Sequence, residues 1–251
     1  MCKRVRTLAG WSITALAIAM WAGKAPETAA AETVAEADRL VQAGAPSVEA
    51  LRGALEIYER AAAADTREST LQVKIAGAAL DLGTRIEEGA LEWFQRGERA
   101  ARRAVELDPK SADGHFLIAA NRGRAAKLLP LWKVSPAIVG QLEKDLLRAL
   151  AIDPRHARAL HMEGMLLYKT PAPLRVFLDG KKRDVERLLS SAVDADPGFA
   201  TARLDLAEFL LEAKRPAEAR AHAQAVLELT TERARRYKPA AEALLRRIPA
   251  S

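Results

Sequence analysis

The chain has 251 residues, of which 49% are apolar and only 5% aromatic, and its apolar residues are mostly alanine and leucine. Because these two residues are among the strongest helix formers, the composition predicts an all-α protein. The net charge is +6; without the first 31 residues it is +3, from 35 basic and 32 acidic residues. That excess is too small for a nucleic-acid-binding face, which needs clustered positive charge. We therefore expect no nucleic acid as a partner.

Residues 1–31 have the layout of a secretory signal peptide. Three basic residues lie near the start, residues 7–23 carry no charge, and Ala29–Ala31 offers small residues for cleavage. We expect cleavage and export to the periplasm. The alternative is an uncleaved inner-membrane anchor, since the uncharged segment is close to the roughly 20 residues that span a bilayer. The single cysteine, Cys2, lies in this leader, so the exported chain can form no disulfide.

A short phrase, Ala-x-x-x-Asp-Pro, recurs along the chain at a nearly constant interval. It ends at Pro109, Pro154 and Pro197, which lie 45 and 43 residues apart, and a degenerate copy ends at Thr66, 43 residues before the first. Self-similarity at this period is typical of solenoids in which each helix pair buries its apolar face against its neighbours. The repeat therefore predicts a scaffold of stacked helix pairs.

The last repeat is similar to a tetratricopeptide repeat (TPR). Two amphipathic segments flank the turn at residues 214–216. The resemblance implies an all-α, right-handed α-solenoid of about five helix pairs over residues 32–230. Residues 231–251, which are basic with an apolar stripe, are then the C-terminal capping helix. The positions that match the small and apolar positions of the TPR pattern are Leu206, Ala207, Leu210, Ala219, Ala223 and Val226.

The middle repeats are longer than a TPR, and the spacing places the extra length between the two helices of each repeat, in segments 83–89, 127–136 and 169–180. Such loops either form a binding edge or reflect drift in loop length. Residues 173–227 resemble exported bacterial TPR proteins of the type found as the T component of TRAP transporters (TatT). That resemblance implies a periplasmic accessory protein with an apolar ligand channel and a solute-binding protein as partner.

No motif in the sequence indicates catalysis or metal binding. His156 and His161 are five residues apart, whereas the two histidines of a helical zinc motif lie one turn apart on the same face. The Gly-x-Ser-x-Gly nucleophile motif is absent from the sequence. We therefore expect a protein that is not an enzyme and that has no cofactor and no metal site.

In TPR solenoids the first helix of each repeat lines the concave surface, and the resemblance assigns groove residues on three of these helices. They differ from the lysines and asparagines with which some TPR proteins bind a peptide carboxylate. Their aromatic and thioether side chains suit an apolar ligand or an amphipathic helix. The alternative is that the apolar members are simply core residues. The candidates are Phe116, Arg124, His161, Met165, Tyr168, Leu204 and Glu208.

Together these observations predict a non-catalytic, exported scaffold that binds a protein partner or a small apolar ligand on its concave face. A periplasmic transporter-accessory protein is the most specific form of this hypothesis. The alternative is a structural module of the cell envelope that assembles with copies of itself. The membrane would be a partner only through an uncleaved leader.

Overall fold

The computed structural model describes residues 26–42, 46–130, 135–171, 178 and 184–249. Over these residues the chain forms twelve helices and no β-strand. The helices are α1 (Pro26–Gln42), α2 (Val48–Ala64), α3 (Ser69–Arg85), α4 (Ala90–Leu107), α5 (Ala112–Lys127), α6 (Pro136–Ile152), α7 (Ala157–Lys169), α8 (Val185–Ala195), α9 (Ala200–Glu212), α10 (Pro216–Glu228), α11 (Glu232–Arg235) and α12 (Lys238–Arg247).

Successive helices pair and stack, which confirms the predicted all-α solenoid. The five pairs are α1/α2, α3/α4, α5/α6, α7/α8 and α9/α10, and each pair packs on the next. One apolar core runs through the stack from Ala37 on α1 to Ile248 after α12. Because each pair contacts chiefly its neighbours, the fold grows by repetition rather than by closing around one centre.

The recurring Asp-Pro phrase forms the same turn at the end of successive second helices. The Asp backbone N–H donates to the carbonyl of the alanine four residues earlier, at 2.8 Å for Asp108 and Asp153 and 3.1 Å for Asp196. The Asp carboxylate accepts the backbone N–H two residues later, at 2.9 to 3.0 Å. Asp65 makes the same two bonds although Thr66 replaces the proline. The phrase is therefore a helix-ending turn, stopped by an Asx-type hydrogen bond.

In the second unit the extra length lies mainly in the helices, so its predicted place in the connecting loop is wrong. α3 has 17 residues and α4 has 18, whereas α9 and α10 have 13 each. Only residues 86–89 connect α3 to α4, so residues 83–85 belong to α3. In the other two predicted loops, residues 131–134, 172–177 and 179–183 lie outside the described residues.

Glycines allow α3, α4 and α5 to approach closely, and this packing extends α3 beyond its predicted end. Leu82 and Gly83, in the last turns of α3, are buried. A Cβ on Gly83 would lie 2.8 Å from the ring of Phe94 on α4. A Cβ on Gly97 would overlap Oδ1 of the buried Asn121 on α5, whose amide donates to two backbone carbonyls on α3 and α5. The added turn is stable because it buries apolar surface against the neighbouring helix.

The C-terminal segment forms two short helices, α11 and α12, rather than a single capping helix. Pro239 lies in the first turn of α12, where its missing N–H needs no partner. Inside one continuous helix the same proline would remove a hydrogen bond. α12 packs on α10 and buries Ala241, Leu244 and Ile248. Its arginines stay exposed, so it caps the stack with a polar outer face.

α1 begins at Pro26 and includes the predicted cleavage segment Ala29–Ala31. Residues 1–25, which contain the predicted uncharged segment, lie outside the described residues. Within the described part of the chain, every helix is too short or too polar to cross a bilayer. The signal peptide and the domain boundaries at residues 31 and 230 stay predictions.

Candidate functional site

The first helices of the five units, α1, α3, α5, α7 and α9, form a row in which side chains contact the neighbouring units. We call this row the first-helix face; in TPR solenoids it is the concave side. All seven predicted groove residues lie on α5, α7 or α9. Several of them are already bonded to the next helix in the row.

Asp113 on α5 is bonded to the start of α7. Its Oδ1 accepts from Arg158 Nη2 at 2.6 Å and from His156 Nε2 at 3.2 Å. His156 Nδ1 accepts the backbone N–H of Ala159 at 3.2 Å and so caps α7. One ring nitrogen therefore donates while the other accepts, as in a neutral imidazole. The hydrogen bond from His156, with the charge of Arg158, lowers the pKa of Asp113 against the opposing effect of burial.

Phe116, the predicted aromatic floor of the groove, is only 6% exposed. The Arg158 guanidinium lies 4.7 Å from the centroid of the Phe116 ring, within the range of a cation–π contact. The His156 ring packs against the same side chain with 5.1 Å between centroids. A partner approaching here would meet Arg158 before it met the phenyl ring.

His161 on α7 is bonded to α9. Its Nε2 donates to Asp205 Oδ2 at 2.6 Å, and its ring packs edge-on against Phe199 with 5.0 Å between centroids. The side chains of His161 and Asp205 are 15% and 23% exposed. This pair joins the fourth unit to the fifth.

Tyr168 and Glu208 also join neighbouring helices. The Tyr168 ring packs edge-on against Phe209 of α9 with 5.4 Å between centroids. Burial, followed by a hydrogen bond with Glu212, raises the pKa of Tyr168. Glu208 Oε1 accepts from Arg247 Nη1 of α12 at 3.2 Å. Both predicted groove residues are therefore part of the contacts between units.

Two basic residues of this face lie near the end of α5. Arg124 and Lys127 are exposed, and neither forms an ion pair within the described residues. Partial desolvation, followed by the charge of Arg124, lowers the pKa of Lys127, while Asp205 of α9 opposes the shift. Because Arg124 and Lys127 are three residues apart on α5, their side chains lie on the same side of this helix. On the neighbouring helices, Met165 and Leu204 are half-buried against the core.

Sequence reasoning missed three residues of this face, His156, Asp205 and Lys127. A signal for Lys127 exists, because it follows Arg124 by three residues and so lies on the same side of the helix. Asp205 directly follows the predicted Leu204, but only the packing of α7 on α9 shows that it meets His161. His156 precedes its helix, and its capping role depends on the turn after Asp153.

Two clefts formed by described residues lie away from the predicted groove. One, of about 370 Å³, lies between α2, α3 and α4, and the other, of about 240 Å³, lies between α6 and α7. Neither is lined by any of the seven predicted groove residues. Over the described ranges, no group of three His, Cys, Asp or Glu side chains is placed to hold a metal ion.

The comparisons with known proteins agree with this architecture. Residues 179–248 match the tetratricopeptide repeat family model. The fold is similar to that of TTC0263, a thermophilic TPR protein of Thermus thermophilus, with a TM-score of 0.66 and 18% identity over 86% of this chain and 98% of that one. Weaker similarity extends to MamA of Desulfovibrio magneticus RS-1, with a TM-score of 0.48 and 16% identity over 80% and 94% of the two chains. No curated protein matches the sequence significantly. The chain therefore carries a tetratricopeptide repeat match in its C-terminal part and has the fold of a TPR solenoid, an architecture typical of non-catalytic scaffolds that bind proteins.

Proposed function

We propose that this protein is a non-catalytic adaptor that holds an acidic, partly apolar segment of a partner protein against its first-helix face. The observation that carries the proposal is the pair of exposed cations Arg124 and Lys127, which form no ion pair within the described residues. Solenoids of this type present an extended curved surface on which a peptide or protein segment can lie. A segment with carboxylates and apolar side chains would complement the cations and the half-buried Met165 and Leu204.

A protein segment fits this face better than a small apolar ligand. Ligand pockets bury most of the ligand in a cleft lined largely by apolar side chains. Here Phe116 is buried, and His161, Tyr168 and Glu208 are bonded to neighbouring helices. Among the described residues, the polar contacts between units form an open face with charged groups rather than an enclosed apolar channel.

A simpler role for Arg124 and Lys127 is to stabilise their own helix, α5. Basic residues in the last turn of a helix interact favourably with its dipole, by less than about 1 kcal/mol at an exposed site. That role would be satisfied wherever the side chains pointed. Arg124 and Lys127 are three residues apart on α5, so the two like charges lie on the same side of the helix, and the charge of Arg124 contributes to the lowered pKa of Lys127.

A zero-length cross-link tests the proposal directly. A water-soluble carbodiimide joins a lysine amine to a carboxylate in contact with it, so treatment of the envelope fraction should link Lys127 to an acidic residue of the partner. Peptide mass spectrometry would identify both ends. The double variant Arg124→Glu/Lys127→Glu should lose partner recovery. The matched control is Arg187→Glu/Arg246→Glu, with the same change of charge at two exposed arginines on α8 and α12.

Partner recovery that is unchanged in the first double variant would contradict the proposal. Recovery that falls equally in both double variants would indicate a general charge effect. A molar mass that rises with concentration in light scattering would instead favour the alternative of self-assembly. A small apolar molecule that stays bound in native mass spectrometry would favour the ligand-channel hypothesis.

The proposed place of action is the periplasm, and the proposed role there is that of a transporter-accessory protein with a solute-binding protein as partner. The support is the leader sequence and the resemblance of residues 173–227 to TatT-type proteins. Fractionation with N-terminal sequencing tests the export step. A mature chain that begins at residue 32 supports it, and would lack the first six residues of α1. An intact N-terminus in the inner membrane would favour the anchor.

A further inference from the structure

A second candidate surface lies between the second helices of the first two units. The cleft of about 370 Å³ is bounded by α2 and α4, with α3 beneath it. Its apolar floor consists of Ala62, Ile75 and Ala100, which are 7%, 5% and 6% exposed. These short side chains leave room for a small apolar group between the two helices. The cleft shares no residue with the Arg124–Lys127 site.

One wall of the cleft is held by a fixed arginine. Arg96 forms an ion pair with Glu59 across the cleft. Its guanidinium also lies 4.9 Å from the centroid of the Trp93 ring, while Arg52 of α2 lies 5.6 Å from the same ring. Stacking and ion pairing both limit the rotation of Arg96, so this wall of the cleft is held in place.

The positive charge of the cleft exceeds its negative charge. Arg99, one turn after Arg96 on α4, also lines the cleft, is exposed, and forms no ion pair in the part of the chain that the structure describes. Glu59 is the acidic residue in the lining, and it is already paired with Arg96. Gln72 of α3 adds an amide to the lining of the cleft. The cleft therefore offers the guanidinium of Arg99 above an apolar floor.

We propose that this cleft docks a carboxylate-bearing segment of a partner protein. One Asp or Glu of the segment bonds to Arg99, and a small apolar neighbour contacts the floor at Ala62 and Ala100. The planar guanidinium matches a carboxylate in a two-bonded arrangement. Glu59 in the wall would repel a phosphate dianion more strongly than a single carboxylate, which favours an acidic protein segment over a phosphorylated one.

This inference adds a second docking site to the proposed function and does not depend on the first. The first-helix face and the cleft could engage two partners, or two segments of one partner, at the same time. Because both sites are expected to attract acidic segments, an experiment on the cleft must be performed with the other site removed. The variant Arg124→Glu/Lys127→Glu provides that background.

Fluorescence anisotropy with a defined probe tests the cleft. The probe is a labelled peptide in which glutamates alternate with alanines and leucines, added to the full-length protein carrying Arg124→Glu/Lys127→Glu. Adding Arg99→Glu should weaken binding about tenfold or more, because it places a like charge opposite the peptide carboxylate. Adding Arg187→Glu, at an exposed arginine on α8, should change the affinity less than about twofold. Circular dichroism confirms that each variant is folded.

Four results would overturn the proposal. The first is an absence of saturable binding up to about 1 mM peptide in the Arg124→Glu/Lys127→Glu background. The second is equal affinity with and without Arg99→Glu. The third is tighter Arg99-dependent binding of the same peptide with phosphoserine in place of glutamate, which would assign the cleft to phosphorylated ligands. A peptide with glutamine in place of glutamate should bind weakly, and equal binding of it would also contradict the proposal.

Discussion

The second unit and the last unit build the same kind of helix pair from different small residues. In the α3/α4 pair, glycines at positions 83 and 97 allow Phe94 and Asn121 to approach the backbone. In the α9/α10 pair, Ala207 and Ala219 are fully buried where the helices pack. The helices of the second unit have 17 and 18 residues, whereas those of the last unit have 13 each.

The family model matches residues 179–248, which include the α9/α10 pair but not the α3/α4 pair. The TPR pattern fixes the spacing between small residues on two short helices, and an added turn shifts those positions out of register. The architecture itself needs only small residues where helices meet and apolar residues on the faces that stack. The early units meet these needs with glycines and longer helices, so they keep the fold without the sequence pattern.

The largest difference between the two regions should appear when an aromatic residue is removed from each. Phe94 is 3% exposed and packs on Gly83, so Phe94→Ala should lower the free energy of unfolding by about 3–5 kcal/mol. Phe209 is only partly buried at the edge of Tyr168. Phe209→Ala should therefore have a clearly smaller effect. Urea unfolding followed by circular dichroism measures both, and equal losses would show that the two regions pack alike.

A methyl group added at the glycine crossing should destabilise the protein less than the loss of Phe94. Gly97→Ala overlaps Asn121, which is fully buried and donates two hydrogen bonds, and should lower the free energy of unfolding by about 1–3 kcal/mol. The matched control is Gly53→Ala on α2, where no atom lies within 4 Å of the added Cβ.

Gly53→Ala should raise the free energy of unfolding by about 0.5–1 kcal/mol, because alanine is the better helix former. Both variants are measured by urea unfolding under the same conditions. If Gly97→Ala also stabilised the protein, the close approach of α4 and α5 would be wrong.

The smallest effect is expected at the contact between α5 and α7. The pKa of Asp113 is lowered from its ordinary value of 3.8 by His156 and Arg158. A lowered folded pKa contributes stability that is present above 3.8 and is lost as the pH falls through the lower folded value. Because Asp113 is half exposed, Asp113→Asn should lower the free energy of unfolding by less than about 1 kcal/mol at neutral pH.

Urea unfolding of wild type and Asp113→Asn at about pH 6 and about pH 2.5 tests this pH dependence. The difference between the two proteins should be largest at the higher pH and should shrink at the lower one. A difference that did not change with pH would show that Asp113 contributes through packing rather than through its charge.

The fold was accessible from the sequence because its signals are local. The turn after Asp108 requires only a helix, an Asp and the following backbone N–H, all within a few residues. Pro216 begins α10, since proline is tolerated in the first turn of a helix. The length of α3 was not accessible, because its last turns are stabilised by Phe94 on another helix.

The candidate site was predicted only in part, because its contacts join residues that are far apart in the sequence. The predicted residues lie on the expected helices, but His161 meets Asp205 44 positions later, and Glu208 meets Arg247 39 positions later. In the sequence, a polar residue on this face looks the same whether or not a neighbouring unit supplies its partner.

The sequence by itself therefore determined that the chain is a stack of helix pairs, where each Asp-Pro turn falls, and which helices form the first-helix face. Only the tertiary structure decided which side chains on that face contact neighbouring units and which, like Arg124 and Lys127, form no ion pair within the described residues. A repeated local pattern can be recognised from the sequence alone. The pairing of charges depends instead on how each unit is rotated relative to the next.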